Sequence, residues 1–161
     1  MVVILMGVSG VGKTTIGHLL AQALGWRFLE GDDVHPPENI AKMHAGVPLT
    51  DADRAPWLDK LRALLSEAIA RGENVVLACS ALRASYRQVL SVDPVQVRWV
   101  YLKGPQTLIA QRLMGRQGHF MPPSLLDSQF NVLEEPAEAL GVDVSQGPQA
   151  VVAEIRAGLG V

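Results

Sequence analysis

A single cysteine, Cys79, stands in 161 residues, which excludes an internal disulfide framework and makes a reducing cytoplasm the expected location. Flanked by an apolar run, that lone thiol reads as a buried apolar residue, not a nucleophile. No apolar run approaches the ~20 residues that span a bilayer. The apolar start over residues 1–6 lacks a basic flank and runs straight into a glycine-rich loop, so it does not read as a signal peptide. Charge of either sign is also in short supply. A net charge of −2 gives no electrostatic ground for nucleic acid or an anionic membrane as partner. No H-x-x-x-H pair or Cys/His cluster occurs, so a structural zinc is not indicated. Repeats, linkers and low-complexity stretches are absent too.

What is present fits one domain over residues 1–161. A chain of this size buries roughly 70% of its unfolded surface, and 48% apolar residues are ample for a core. Residues 2–6 are continuously apolar, as in a strand buried on both faces. Ile16, Leu19, Leu20, Ala23 and Leu24 follow at helical spacing, with Gly25 as the stop. Further strands are predicted over 27–30, 74–79, 97–102 and 142–144. Helices are predicted over 38–45, from Asp51 to Gly72 along Leu58, Leu61, Leu64, Leu65, Ala68 and Ile69, through Tyr86–Leu90, from Pro105 to Leu113, over about 124–134, and through Val151–Leu159. Strands alternating with helices imply a parallel sheet covered on both faces, an α/β class.

Gly7-Val8-Ser9-Gly10-Val11-Gly12-Lys13-Thr14 satisfies G-x-x-x-x-G-K-[ST] in full. The glycines let the backbone turn so that successive N–H groups point at phosphate oxygens. The helix beginning near Lys13 aims its unpaired N–H groups and positive dipole end at the same anion. Lys13 is suited to the β- and γ-phosphates and the Thr14 hydroxyl to Mg²⁺, with Thr15 closing the ATP-binding segment. A chance glycine-rich turn would lack the apolar strand before it and the amphipathic helix after it. A regulatory GTPase would need D-x-x-G and N/T-K-x-D, and neither occurs. A motor ATPase would place an acid after a long apolar strand, whereas Val75-Val76-Leu77-Ala78 leads into Cys79-Ser80.

Three more clusters point to an acceptor site. Glu30-Gly31-Asp32-Asp33-Val34-His35 follows the second strand, and ligands in open parallel sheets lie beyond strand carboxyl ends. Asp32 is placed to accept the proton of an attacking hydroxyl, and Glu30 to hold a water on Mg²⁺; a solvated acidic turn is the plainer reading. Arg83 and Arg87 stand four apart and would share a helix face, as would Arg112 and Arg116, which lead into a Gly- and Pro-rich loop. A lid over about 112–124 that closes an arginine, Arg116, onto a transferring phosphoryl group would have this pattern. Solvated basic faces are the alternative.

Together these pieces resemble a known family. Met6-Gly7-Val8-Ser9-Gly10, Leu29-Glu30-Gly31-Asp32, Lys42-Met43-His44-Ala45-Gly46-Val47-Pro48-Leu49-Thr50-Asp51-Ala52-Asp53-Arg54-Ala55-Pro56-Trp57, Cys79-Ser80-Ala81-Leu82, Tyr101-Leu102-Lys103-Gly104 and Arg116-Gln117-Gly118-His119-Phe120 match the bacterial-type gluconokinases in combination. The resemblance implies a nucleoside-monophosphate-kinase-like P-loop fold with a five-stranded parallel sheet, a homodimer, and ATP-dependent phosphorylation of D-gluconate at its 6-hydroxyl. It implies that Arg112 lies beside the adenine, that residues 145–148 line the same pocket, and that an acceptor region of about 32–57 holds gluconate. The acceptor carboxylate is then expected near some of Arg54, Arg83, Arg87 and His35, with His119 as an acceptor or lid contact. Departures are mild: Glu30 stands where relatives commonly have Asp, Arg83 replaces a frequent Lys, and Met121-Pro122-Pro123 stiffens the loop end. Shikimate or a nucleoside monophosphate as acceptor, or a nucleotide-binding regulatory module, remain the competing readings. Trp57 is read as packing.

Overall fold

The structure is a computed structural model that describes residues 1–116 and 123–161. Among them, five strands form a parallel sheet in the order β2-β3-β1-β4-β5, with β1 Val2–Met6, β2 Arg27–Glu30, β3 Val75–Ala78, β4 Val97–Lys103 and β5 Leu140–Asp143. The helices are α1 Lys13–Leu24, α2 Pro37–His44, α3 Asp51–Ala70, α4 Ala84–Leu90, α5 Gln106–Met114, α6 Pro123–Val132 and α7 Pro148–Leu159.

Every residue of β1 is buried because the strand is central and both its faces are covered. Its alternation then sorts the core. Val3 and Leu5 join one apolar cluster with Ile16, Leu20, Ile109, Leu126 and Ile155. Val2, Ile4 and Met6 join the other, with Trp57, Leu61, Leu65 and Leu90. Two-residue periodicity thus survives inside a strand that reads as uniformly apolar.

The chain crosses from β1 outward to β2 and β3 on one side and to β4 and β5 on the other, so the strand carboxyl ends beside β1 form the switch point where ligands of such sheets lie. Close approach there demands glycine. A Cβ on Gly7 would stand 2.6 Å from the Leu102 carbonyl oxygen, and one on Gly31 2.6 Å from that of Ala78.

Several local expectations are corrected. Ala23 is exposed and Ala21 is buried, because the face of α1 against the sheet is rotated toward Gly17 and Ala21. The last strand starts two residues earlier than expected, at Leu140, pairing with Val100. Residues 31–34 form a 3-10 turn where the sequence showed only an acidic cluster. Arg83 is the N-cap of α4 with an extended backbone, so it shares no helix face with Arg87. Arg116 likewise lies beyond the C-cap Gly115 of α5, off the helix that carries Arg112.

Candidate active site

The phosphate loop after β1 turns through three positive φ values, 146° at Gly7, 81° at Gly10 and 103° at Gly12. Those angles favour glycine and set the N-terminus of α1 against the strand ends. Val8 and Val11 drop into the core and anchor the loop from below. Lys13 folds over it, its Nζ donating to the carbonyl oxygens of Gly7 at 2.9 Å and Val8 at 3.0 Å. Burial lowers the Lys13 pKa, and the Asp32 carboxylate is the largest opposing influence. Thr14 Oγ1 donates to Glu30 Oε2 at 2.7 Å, joining the head of α1 to the end of β2. The Glu30 carboxyl is raised by burial, against the lowering effect of that hydrogen bond. Thr15, like Thr14, is exposed at the head of α1. The Ser9 main-chain N–H and hydroxyl meet the side-chain amide of Gln129, a contact no sequence motif announces.

On the acceptor side the 3-10 turn presents Asp32 and Asp33 to solvent and buries His35. The His35 ring stacks on Trp57, with centroids 4.3 Å apart and planes 12° from parallel. Trp57 Nε1 donates to the Gly31 carbonyl at 2.7 Å, so this tryptophan packs and also pins the turn that carries Asp32. Asn39 Nδ2 donates to the Asp53 carbonyl at 2.8 Å and lies 3.2 Å from His35 Nδ1. A carbonyl can only accept, which fixes the Asn39 amide. Its second N–H then requires His35 Nδ1 to accept and Nε2 to carry the proton. Burial lowers the His35 pKa, in keeping with that neutral ring. Lys42 holds Asp53 at 2.9 Å and Thr50 caps α3 through a capping box with Asp53. The Asp53 carboxyl falls to about 2, chiefly through the Lys42 hydrogen bond.

Arg54 Nη1 donates to the Tyr86 hydroxyl at 3.1 Å, and its guanidinium carbon lies 5.6 Å from that ring's centroid. Tyr86 in turn donates to Asp51. Arg83 approaches the same carboxylate at 3.6 Å and Arg54 at 3.9 Å. The sequence therefore brings Arg54 and Arg83 together across α3 and α4, while Arg87 turns inward. Its Nη1 donates to the Ala81 and Leu82 carbonyls at 2.9 and 3.1 Å, bracing a turn in which Ala81 takes a positive φ of 43°. Arg112 Nη2 donates to the Val144 carbonyl at 2.6 Å, joining α5 to the segment after β5. Arg116 is exposed, and its charge acts to lower the Lys13 pKa. His119 lies outside the described residues, as do residues 117–122 of the expected lid. Cys79 is buried with its thiol pushed up to about 12 by burial, an inert residue as its surroundings suggested.

A phosphate loop facing acidic and arginine-bearing strand ends is the arrangement of a small-molecule kinase. The family model described as an AAA domain matches residues 2–136. A curated gluconokinase of Gluconobacter oxydans is 46% identical over 155 residues, covering 94% of this chain and 87% of that one. The chain belongs to the gluconokinase family. The crystal structure of a gluconokinase from Sinorhizobium meliloti superposes with a TM-score of 0.86 at 46% identity, covering 98% of this chain and 90% of that one. An unliganded sugar kinase from Janibacter sp. gives a TM-score of 0.91 at 44% identity, with 99% and 94% covered. A shikimate kinase of Bacteroides thetaiotaomicron, 18% identical with a TM-score of 0.70, shares the fold alone. Within the gluconokinase motif over residues 42–57, Lys42 pairs with Asp53, Arg54 lies beside Asp51, and Trp57 holds the Gly31 carbonyl.

Proposed function

We propose that this protein phosphorylates D-gluconate at the 6-hydroxyl with ATP, as an ATP:gluconate 6-phosphotransferase. The observation that carries the reading is a complete phosphate loop set opposite Asp32 and an Arg54–Tyr86–Arg83 rim, in a chain of the gluconokinase family. Residues 7–15 cradle the ATP phosphates. Lys13 exchanges the two carbonyls it now holds for phosphate oxygens, which restores its charge balance. Asp32, beside Lys13, orients the acceptor hydroxyl and takes its proton. Arg54 and Arg83 meet the acceptor carboxylate, with His35 as a neutral Nε2–H donor in the same region and Arg87 bracing the turn behind them. Arg116 stabilises charge on the transferring group, Arg112 with residues 145–148 borders the adenine, and His119 completes the acceptor or lid contacts.

The donor set also fits Mg²⁺. A hydroxyl and a carboxylate oxygen stand 2.7 Å apart at Thr14 and Glu30, the hard donors that ion prefers. Among the described residues no three His, Cys, Asp or Glu side chains gather into a metal cage, so the ion would be shared with the phosphates. Bound there, Mg²⁺ supplies charge neutralisation for the transferring oxygens. We further place the protein in the cytoplasm as a homodimer without nucleic-acid or membrane partners, with one domain over 1–161 whose acceptor region (32–57) and lid (112–124) flank the loop. Among the described residues, no helix is long and apolar enough to cross a membrane.

A coupled ADP-release assay over gluconate, glucose and shikimate at fixed ATP and Mg²⁺ tests the reading. Gluconate turnover far above both others is expected. Shikimate preferred would transfer the assignment to that acceptor, and ATP binding without turnover of any acceptor would reduce the protein to a nucleotide-binding module.

A further inference from the structure

The phosphate loop is held by a side chain that comes from the far end of the sequence. Gln129 Oε1 accepts from the Ser9 main-chain N–H at 2.7 Å, and Gln129 Nε2 donates to Ser9 Oγ at 3.0 Å. The main-chain N–H can only donate, so it fixes the amide with Oε1 toward the loop and Nε2 toward the hydroxyl. Ser9 stands between Gly7 and Gly10, where the backbone passes through positive φ. The carbonyl side of the Ser9 peptide, Val8 O, accepts from Val11 N–H and Lys13 Nζ, while Gln129 takes its N–H side.

The grip is itself rooted. Leu126, one helical turn before Gln129 on α6, is buried in the cluster that contains Val8 and Val11. Past the helix, Glu134 N–H donates to the Leu82 carbonyl and Glu134 Oε2 accepts from Ala84 N–H, while Glu135 accepts from the Tyr101 hydroxyl. One short segment, residues 126–135, is thereby fastened to the phosphate loop, the turn that Arg87 braces, and β4.

We infer that Gln129 is a positioning residue for phosphoryl transfer, setting the Ser9 peptide and with it the height of the phosphate loop relative to the acceptor turn. This rests on the kinase reading proposed above. Transfer needs the two reactants aligned to a fraction of an ångström, and a displacement of about 1 Å costs on the order of 10²-fold in rate. A two-pronged amide is suited to that task because it fixes both the direction and the height of one peptide.

The test is a double-mutant cycle on full-length protein. Gln129→Ala should lower kcat by about 10- to 100-fold with KM for gluconate changed less than about threefold. Ser9→Ala, which keeps the N–H prong, should cost only about two- to fivefold. The double variant should match Gln129→Ala alone, since the second change removes a partner already lost. Gln129→Met, of similar volume and apolar, should behave like Gln129→Ala and remains readable if the smaller residue weakens folding. Amide hydrogen exchange at Ser9, which needs no acceptor and no turnover, should speed up in both Gln129 variants. Losses that multiply in the double variant, a rise confined to KM for gluconate, or a protected Ser9 amide without Gln129 would each overturn the inference. Failure of the parent enzyme to use gluconate would instead sink the functional reading and leave the exchange result standing.

Discussion

The two sides of the cleft are built by opposite strategies. The phosphate side is nearly all local backbone: three glycines, one lysine reaching back five and six residues, and a helix N-terminus. The acceptor side is nearly all side chain, assembled from residues far apart in the chain: Trp57 on Gly31, Asn39 on Asp53, Arg54 on Tyr86, Arg83 on Asp51. A phosphate is recognised by N–H groups that any sequence can supply once its backbone turns correctly. A hydroxy acid needs chosen side chains at chosen heights, and those require pairing across elements. The first kind of site tolerates drift in its flanking residues; on the proposed reading, the second sets substrate choice.

Removing one group from each side tests that division, and the largest effect is expected on the phosphate side. Lys13→Ala should abolish measurable turnover, a loss beyond about 10³-fold, because Lys13 is the cation the phosphate loop itself places on the transferring group. Circular dichroism should show the fold retained. Turnover within a few-fold of the parent would break the assignment.

Across the cleft, Asp32→Asn should lower kcat by about 10²–10⁴-fold while ATP affinity by calorimetry stays within a few-fold. Collapse of ATP affinity would move Asp32 to the metal and give its present role to Glu30.

Arg54→Ala is expected to act on choice more than on rate. It should narrow the gluconate-to-glucose ratio of kcat/KM by about 10-fold or more, since glucose offers no carboxylate for the arginine to meet. Arg87→Ala offers the contrast. Its Nη1 is committed to the Ala81 and Leu82 carbonyls, so the loss should appear as about 1–3 kcal/mol of stability in denaturant titration. A change in acceptor ratio without destabilisation would return Arg87 to the carboxylate.

The smallest effect concerns pH. His35 has a folded pKa below its ordinary 6.5 because burial disfavours the cation. Its contribution to stability is therefore whole above 6.5 and is lost as pH falls through 6.5 toward the folded value, where the unfolded chain alone takes up the proton. His35→Asn should flatten the fall in Tm between pH 7.5 and 5.5. Asn39→Asp should move the titration upward, because a carboxylate at that place favours a proton on Nδ1.

Those same opposite strategies decide what the sequence made legible. The phosphate loop could be read residue by residue because its determinants are contiguous and periodic, and the α/β order followed from alternating apolar runs. The candidate acceptor residues were proposed as a set through family resemblance, but their structural partners were not legible. Spacing placed Arg83 and Arg87 on one face, but Arg83 is itself the N-cap of α4: it reaches Asp51, while Arg87 folds beneath its own turn. The Gly31–Val34 turn was hidden because its stabilising partner, Trp57, lies 26 residues on. Gln129 stood only at the weak end of the family resemblance, and nothing in the sequence named Ser9 as its partner.

That last contact also sets an order of events during synthesis. Ser9 is made well before its partner, which is 120 residues away and follows four of the five strands. Closing so long a loop is entropically costly and comes late unless something else has drawn the ends together, which here is the parallel sheet. The part of the chain that most resembles a finished nucleotide site is thus completed only by a segment made after β4. A nascent or truncated chain carries the whole phosphate motif without the brace that holds its third residue.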